Sequence, residues 1–165
     1  MEPRKPTGMY FEDFVVGETY TTPRRTITST DIVNFACLSG DFNAPHVDWE
    51  FCKAQPYQEP IAHGPLVLAI MGGLLCQSGM NDGTIVAMLG TDEWRVNLPV
   101  KHGDTLEVAV KVVTKRRTSS GSKGIVEFAR EVRNQRGEAV HTMKSTSMYL
   151  CREAARAIPD QSESD

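Results

Sequence analysis

Asp41 and His46 stand five positions apart in the run Gly40-Asp41-Phe42-Asn43-Ala44-Pro45-His46-Val47-Asp48, a polar stretch rich in turn residues. A carboxylate accepts a proton, and an imidazole accepts or donates one near neutral pH. On a loop outside regular structure, the two side chains can converge on one small molecule without packing against each other. Asn43 and Pro45 between them rigidify the turn. Downstream, Pro60-Ile61-Ala62-His63-Gly64 opens a strongly apolar segment. The first amides of a helix lack partners and lie at the positive end of its dipole. A glycine there admits a carbonyl oxygen close to the backbone, which makes the Gly64 amide a natural oxyanion donor. An acid/base pair beside such a donor suits reactions that pass through an enolate.

The elements that must hold these residues are legible in outline. Residues 10–20 suggest an extended segment with a turn at Gly17, and residues 24–28 a short strand. Thr28-Ser29-Thr30-Asp31 reads as a capping box. The helix it opens carries Ile32, Phe35, Ala36 and Leu38 on one face and stops at Gly40. A short helix over residues 49–55 follows, capped by Asp48. Residues 66–75 are apolar all round and predict a helix buried on most sides, ended by Gly79 and Gly83. Residues 85–89 and 94–100 are short strand candidates. Residues 106–114 alternate Leu106, Val108, Val110 and Val112 with polar positions, the period of a half-buried strand. Residues 125–133 and 139–150 pair across Asn134-Gln135-Arg136-Gly137. One buried helix followed by an antiparallel meander is an α+β arrangement, with the sheet wrapped over the helix.

Composition narrows the class. The chain has 165 residues, enough for one domain, and is 40% hydrophobic and 24% charged, as globular proteins are. Eighteen basic against twenty-one acidic residues give a net charge of −3, which argues against nucleic acid as a partner. The apolar stretch over residues 61–76 contains His63 and is too short to span a bilayer. The start, Met1-Glu2-Pro3-Arg4-Lys5-Pro6, lacks the apolar core of a secretory signal. Cys37, Cys52, Cys76 and Cys151 form no Cys-x-x-Cys pair and no zinc-ligand spacing. They read as reduced thiols of a cytoplasmic protein, with Cys37 and Cys76 as buried filler in helices.

With these residues in view, the run from Phe35 to Asp48 closely resembles the hydratase signature of MaoC-like proteins, which include the (R)-specific enoyl-CoA hydratases. Supporting matches are Tyr10-Phe11-Glu12-Asp13-Phe14 with Val16-Gly17-Glu18, Arg25-Thr26-Ile27-Thr28 before Asp31, and Pro60-Ile61-Ala62-His63-Gly64. Leu98-Pro99-Val100 and Gly103-Asp104-Thr105-Leu106 complete the set. The resemblance runs from Tyr10 to Leu150. It implies a hot-dog fold over residues 10–151, a long central helix wrapped by a curved antiparallel sheet, with a loose leader at 1–9 and a loose acidic tail at 152–165. It also implies a homodimer or higher homo-oligomer.

The implied activity is a carbon–oxygen lyase, a hydratase that reversibly adds water to an α,β-unsaturated acyl-CoA or acyl-carrier thioester and gives the (R)-3-hydroxyacyl product. Asp41 and His46 would act on the water and Gly64 would hold the thioester oxygen. Asn43 would position the water or the loop, and Leu66 and Ile70 would line an acyl pocket. Arg116 and Arg117, with Lys115, are either a charged strand end or contacts for coenzyme A phosphates. No metal or separate cofactor is needed. His63 would order the loop, and His102 and His141 would be solvated. Two departures bear on substrate detail. The family places proline directly after the asparagine, where this chain has Ala44, and some hydratases carry a serine where this chain has Ala69. Branched or dicarboxylic acyl-CoA substrates, of the mesaconyl-CoA or methylmalyl-CoA type, are an alternative to straight chains. A non-catalytic thioester-binding homologue and a hot-dog thioesterase are alternatives of another class. The thioesterase is disfavoured because residues 61–78 contain no acid.

Overall fold

The structure is a computed structural model that describes residues 6–152. The acidic tail beyond Arg152 and the first five residues of the leader lie outside the described residues. Where the remaining leader was expected to be loose, the amides of Gly8 and Met9 donate to the carbonyls of Asp82 and Met80.

The strands are β1 (Thr19–Thr21), β2 (Arg25–Thr26), β3 (Ile85–Val96), β4 (Thr105–Arg117), β5 (Lys123–Arg133) and β6 (Ala139–Leu150). The helices are α1 (Ser29–Ser39), α2 (Ala44–Val47), α3 (Trp49–Lys53) and α4 (Gly64–Gln77), with a 3-10 turn at Phe11–Asp13. The sheet runs β1-β4-β5-β6-β3, all antiparallel, and β2 also pairs with β4. Period-two burial sends Leu106, Val108, Val110 and Val112 of β4 inward, with Val126, Phe128 and Val132 of β5 and Met143 and Tyr149 of β6. They meet Leu66, Val67, Ile70, Met71, Leu74 and Leu75 of α4 in one core, the helix-on-sheet arrangement that the resemblance implies.

The sequence-level elements hold where local chemistry decides them. Thr28 and Asp31 form the capping box of α1, and Gly40 ends it in the left-handed region at φ 78°. Asp48 caps α3 by accepting from the Phe51 amide. Other expectations need correction. The two strand candidates are one twelve-residue strand, β3, which keeps its pairing with β6 through three bulges. α4 is not closed on all sides, because Pro65, Ala69, Gly73 and Cys76 form an exposed stripe. Cys37 is exposed like Cys76, and the buried thiols are Cys52 and Cys151. Leu38 is 82% exposed, so α1 buries only Ile32 and Ala36. No helix among the described residues is long and apolar enough to cross a membrane.

Candidate active site

Three backbone turns bring the chemical side chains together. The first follows α1: Gly40 reverses the chain, and the Asp41 amide donates to Ser39 Oγ. Asn43 then holds the carboxylate, with its amide 3.2 Å and its Nδ2 2.6 Å from Asp41 Oδ1. These donors, the Asn43 amide foremost, hold the Asp41 carboxyl below the ordinary range against the opposing effect of partial burial. The nearby imidazoles of His46 and His63 act in the same direction.

The second turn is α2, and it corrects the expectation of a loop histidine. Pro45 in the first turn of α2 starts one helical turn, and His46 sits on it. His46 Nδ1 lies 2.7 Å from the Ile61 carbonyl, which can only accept, so this nitrogen carries a proton. In the neutral ring Nε2 is then a bare acceptor. It faces Asp41 Oδ2 at 3.9 Å, too far for a direct hydrogen bond. The Ile61 amide returns a bond to the Pro45 carbonyl, tying α2 to the segment before α4.

The third turn is the start of α4. His63 is its N-cap, 2% exposed, and its Nε2 donates to the Asp41 carbonyl at 2.9 Å. Its ring stacks on His46, with Phe35 at 5.1 Å between centroids. His63 thus orders the loop as expected, by bonding to Asp41 and stacking on His46. Gly64 is the first residue of α4, and its amide has no acceptor among the described residues. A Cβ at Gly64 would stand 3.3 Å from Trp94 Cζ2 and 3.4 Å from Val96 Cγ2. A side chain at this position would press on a close wall, which two β3 residues form.

Trp94 and His141 were not found in the sequence as parts of this site. A bulge between Asp92 and Arg95, with Glu93 at φ 51°, re-aims Trp94 onto Gly64. Trp94 Nε1 donates to His141 Nδ1 at 3.2 Å. His141, expected to be solvated, is 1% exposed, and burial pushes its pKa down to about 4. His102 also has a partner, since its Nδ1 accepts from the Ser29 amide. A short alternating strand gives no signal for any of these contacts, which depend on pairing across the sheet.

The remaining site expectations divide. Leu66 and Ile70 are buried core residues of α4. Arg116 and Arg117 lie opposite Ile125 and Gly124, at the far end of the sheet from Trp94, roughly 17–20 Å along the strands. Arg117 pairs with Glu12, and Lys115 Nζ donates to main-chain carbonyls near Phe11, so these cations are not brought to Asp41. A surface cleft lined by Lys101, His102, Asp104 and Arg136 contains none of Asp41, His46 and Gly64. Among the described residues, Asp41, His46 and His63 are also a close set of possible metal ligands, with donor atoms within 4.8 Å of one another. Two of the four imidazole nitrogens in that set are already bonded to carbonyls.

Chemically, the arrangement presents two acceptors, Asp41 Oδ2 and His46 Nε2, across a gap that suits a molecule with two donor hydrogens. An unpaired helix-start amide, that of Gly64, follows His63, whose ring touches both Asp41 and His46.

Known proteins resemble this chain in sequence and in fold. The family model described as MaoC like domain matches residues 13–133. The chain is 38% identical over 124 residues to Protein MaoC of Klebsiella aerogenes, covering 75% of this chain and 36% of that protein. It is 34% identical over 108 residues to a 3-hydroxybutyryl-CoA dehydratase of Methylorubrum extorquens, covering 63% and 64%. The crystal structure of a MaoC-like dehydratase from Rhodospirillum rubrum superposes with a TM-score of 0.77 at 28% identity, over 88% of this chain and 99% of that one. The helix-and-sheet arrangement is the hot-dog fold. The chain spans 36% and 64% of the two curated relatives' lengths.

Proposed function

The chain belongs to the MaoC-like family, and from that premise we propose that it is a hydratase that reversibly adds water to an α,β-unsaturated acyl thioester. The observation that carries this reading is the 3.9 Å gap between Asp41 Oδ2 and His46 Nε2. Two acceptors facing each other leave the place between them to a double donor, and water is the smallest one.

In the proposed addition, one of the two acceptors takes a proton from that water as its oxygen bonds to Cβ. The double-bond electrons move toward the thioester carbonyl, whose oxygen gathers charge on the Gly64 amide at the positive end of α4. The proton taken from water returns to Cα, so one water is added and no other reactant is consumed. Asn43 keeps the Asp41 carboxylate charged and in place. The base, the acid and the oxyanion donor all belong to the chain, and the reading needs no metal.

The single chain leaves β3 as an edge strand with Val86, Met88, Leu89 and Val96 exposed. Pairing of two such edges would cover this surface, and we propose a homodimer on that ground. The test is loss of the enoyl absorbance of acyl-CoA thioesters on incubation with the chain, with and without a chelator. Chiral analysis of the product tests the (R) configuration. Free-thiol release without loss of the double bond would mean a thioesterase instead, and tight binding with no turnover a non-catalytic homologue.

A further inference from the structure

The buried positions of β5 are Gly124, Val126, Phe128, Arg130 and Val132. Four of these suit a core, and the other is a guanidinium. Arg130 is 4% exposed. It stands between Phe128 and Val132 along its strand, opposite Val110 of β4 and Met143 of β6. Among the described residues no carboxylate or carbonyl bonds to it, and its Nε is buried without a partner. The face of Phe128, 5.3 Å from Cζ, is the partner it does have. A buried charge of this kind is stabilised only when an anion meets it.

Its position says where that anion would come from. Asp92 pairs with Lys144 and Arg95 with Thr142, so the bulge that carries Trp94 lies level with Met143. Met143 in turn pairs with Arg130. The main chain of Arg130 is therefore two strands, roughly 10 Å, from that of Trp94, whose indole walls the Gly64 amide. Ser145, opposite Phe128 on the same inner face, has a buried hydroxyl with no partner. A four-carbon acyl group with a hydrogen bond at each end spans on the order of 10 Å.

We propose that the acyl group of the substrate carries a second carboxylate, held by Arg130 and the Ser145 hydroxyl while the thioester oxygen lies on the Gly64 amide. This assignment rests on the hydratase reading and narrows its substrate class. A guanidinium is the natural partner of a planar carboxylate. A neutral acyl chain would leave the cation buried and unpaired, and a site of that kind discriminates strongly.

The experiment uses the full chain with fumaryl-CoA and crotonyl-CoA, which have the same length and end in a carboxylate and a methyl group. The expected result is a kcat/KM preference of about 100-fold or more for fumaryl-CoA. Arg130→Met should abolish that preference. A wild type that prefers crotonyl-CoA, or an Arg130→Met variant with an unchanged ratio, overturns the assignment. The wild-type ratio decides by itself if the variant does not fold. Thermal shifts with malyl-CoA and 3-hydroxybutyryl-CoA separate this inference from the reaction. A shift specific to malyl-CoA and lost in Arg130→Met supports the carboxylate site even if no water is added. Equal shifts, or none, overturn it.

Discussion

The imidazoles of His46 and His63 stack with centroids 3.7 Å and planes 23° apart, and each donates to a carbonyl of a different turn. His46 reaches Ile61, at the approach to α4, and His63 reaches back to Asp41. The stack is thus the clamp that fixes Asp41 and His46 relative to the start of α4. Catalytic geometry is sensitive to shifts of about 1 Å, which cost up to ~100-fold. His63→Ala is expected to lower kcat about 10- to 100-fold with little change in KM. Steady-state rates check this, and an unchanged kcat would show that Asp41 is held without the stack.

Asn43 sets the charge state of Asp41. Its two donors stabilise the carboxylate, so the folded pKa lies below the ordinary value and the charge persists as the pH falls. Asn43→Ala removes the Nδ2 donor and leaves the backbone one. The Asp41 pKa should then rise toward the ordinary carboxylate value, read from its side-chain carbon shift in a pH titration by NMR. A pKa that stays put would place the cause elsewhere.

Gly64→Ala would set a Cβ against Trp94 and Val96. The indole cannot retreat freely, because Nε1 is bonded to His141. Overpacking of this kind costs about 1–3 kcal/mol. The loss should shrink when Trp94→Ala is added, so the two changes should be clearly non-additive in denaturant midpoints. Additive losses would mean that the wall is not what requires glycine.

His141 gives a pH dependence whose sign is fixed. The unfolded chain takes up this proton near the ordinary 6.5, and the folded chain only at about 4. Between these values the unfolded state binds more protons, so stability is full above 6.5 and falls as the pH drops toward 4. The stability lost across this window is on the order of 3 kcal/mol. His141→Gln, which keeps an acceptor for Trp94, should flatten the slope of unfolding free energy between the two values. A slope unaltered by the substitution would remove His141 as its source.

Features fixed by near neighbours were legible in the sequence. The Thr28–Asp31 box, the Asp48 cap and the alternation of Leu106 to Val112 each depend on residues a few positions apart, as does the Asp41-to-His46 spacing. What escaped depends on partners distant in the chain. β3 reads as two pieces because Gly90 and the Glu93–Trp94 bulge interrupt its period, while β6 keeps it continuous. The burial of His141 and the aim of Trp94 arise from that pairing. Arg130 passes unnoticed in an alternating strand, since no local signal shows that its inward neighbours carry no anion. Cys37, Leu38 and Cys76 follow helical apolar patterns but meet no facing element in the single chain.

In the proposed hydration, Asp41 and His46 together activate the water that adds to the enoyl thioester. This is tested most directly by the rate of enoyl absorbance loss in the wild type, Asp41→Asn and His46→Gln, each verified as folded by its melting curve. Using whichever of fumaryl-CoA and crotonyl-CoA the wild type hydrates faster, each single variant should lose at least about 100-fold in kcat, as removal of a general acid or base does. The double variant should be little worse than either, because the two residues act as a unit. Wild-type rates in both single variants would contradict the account.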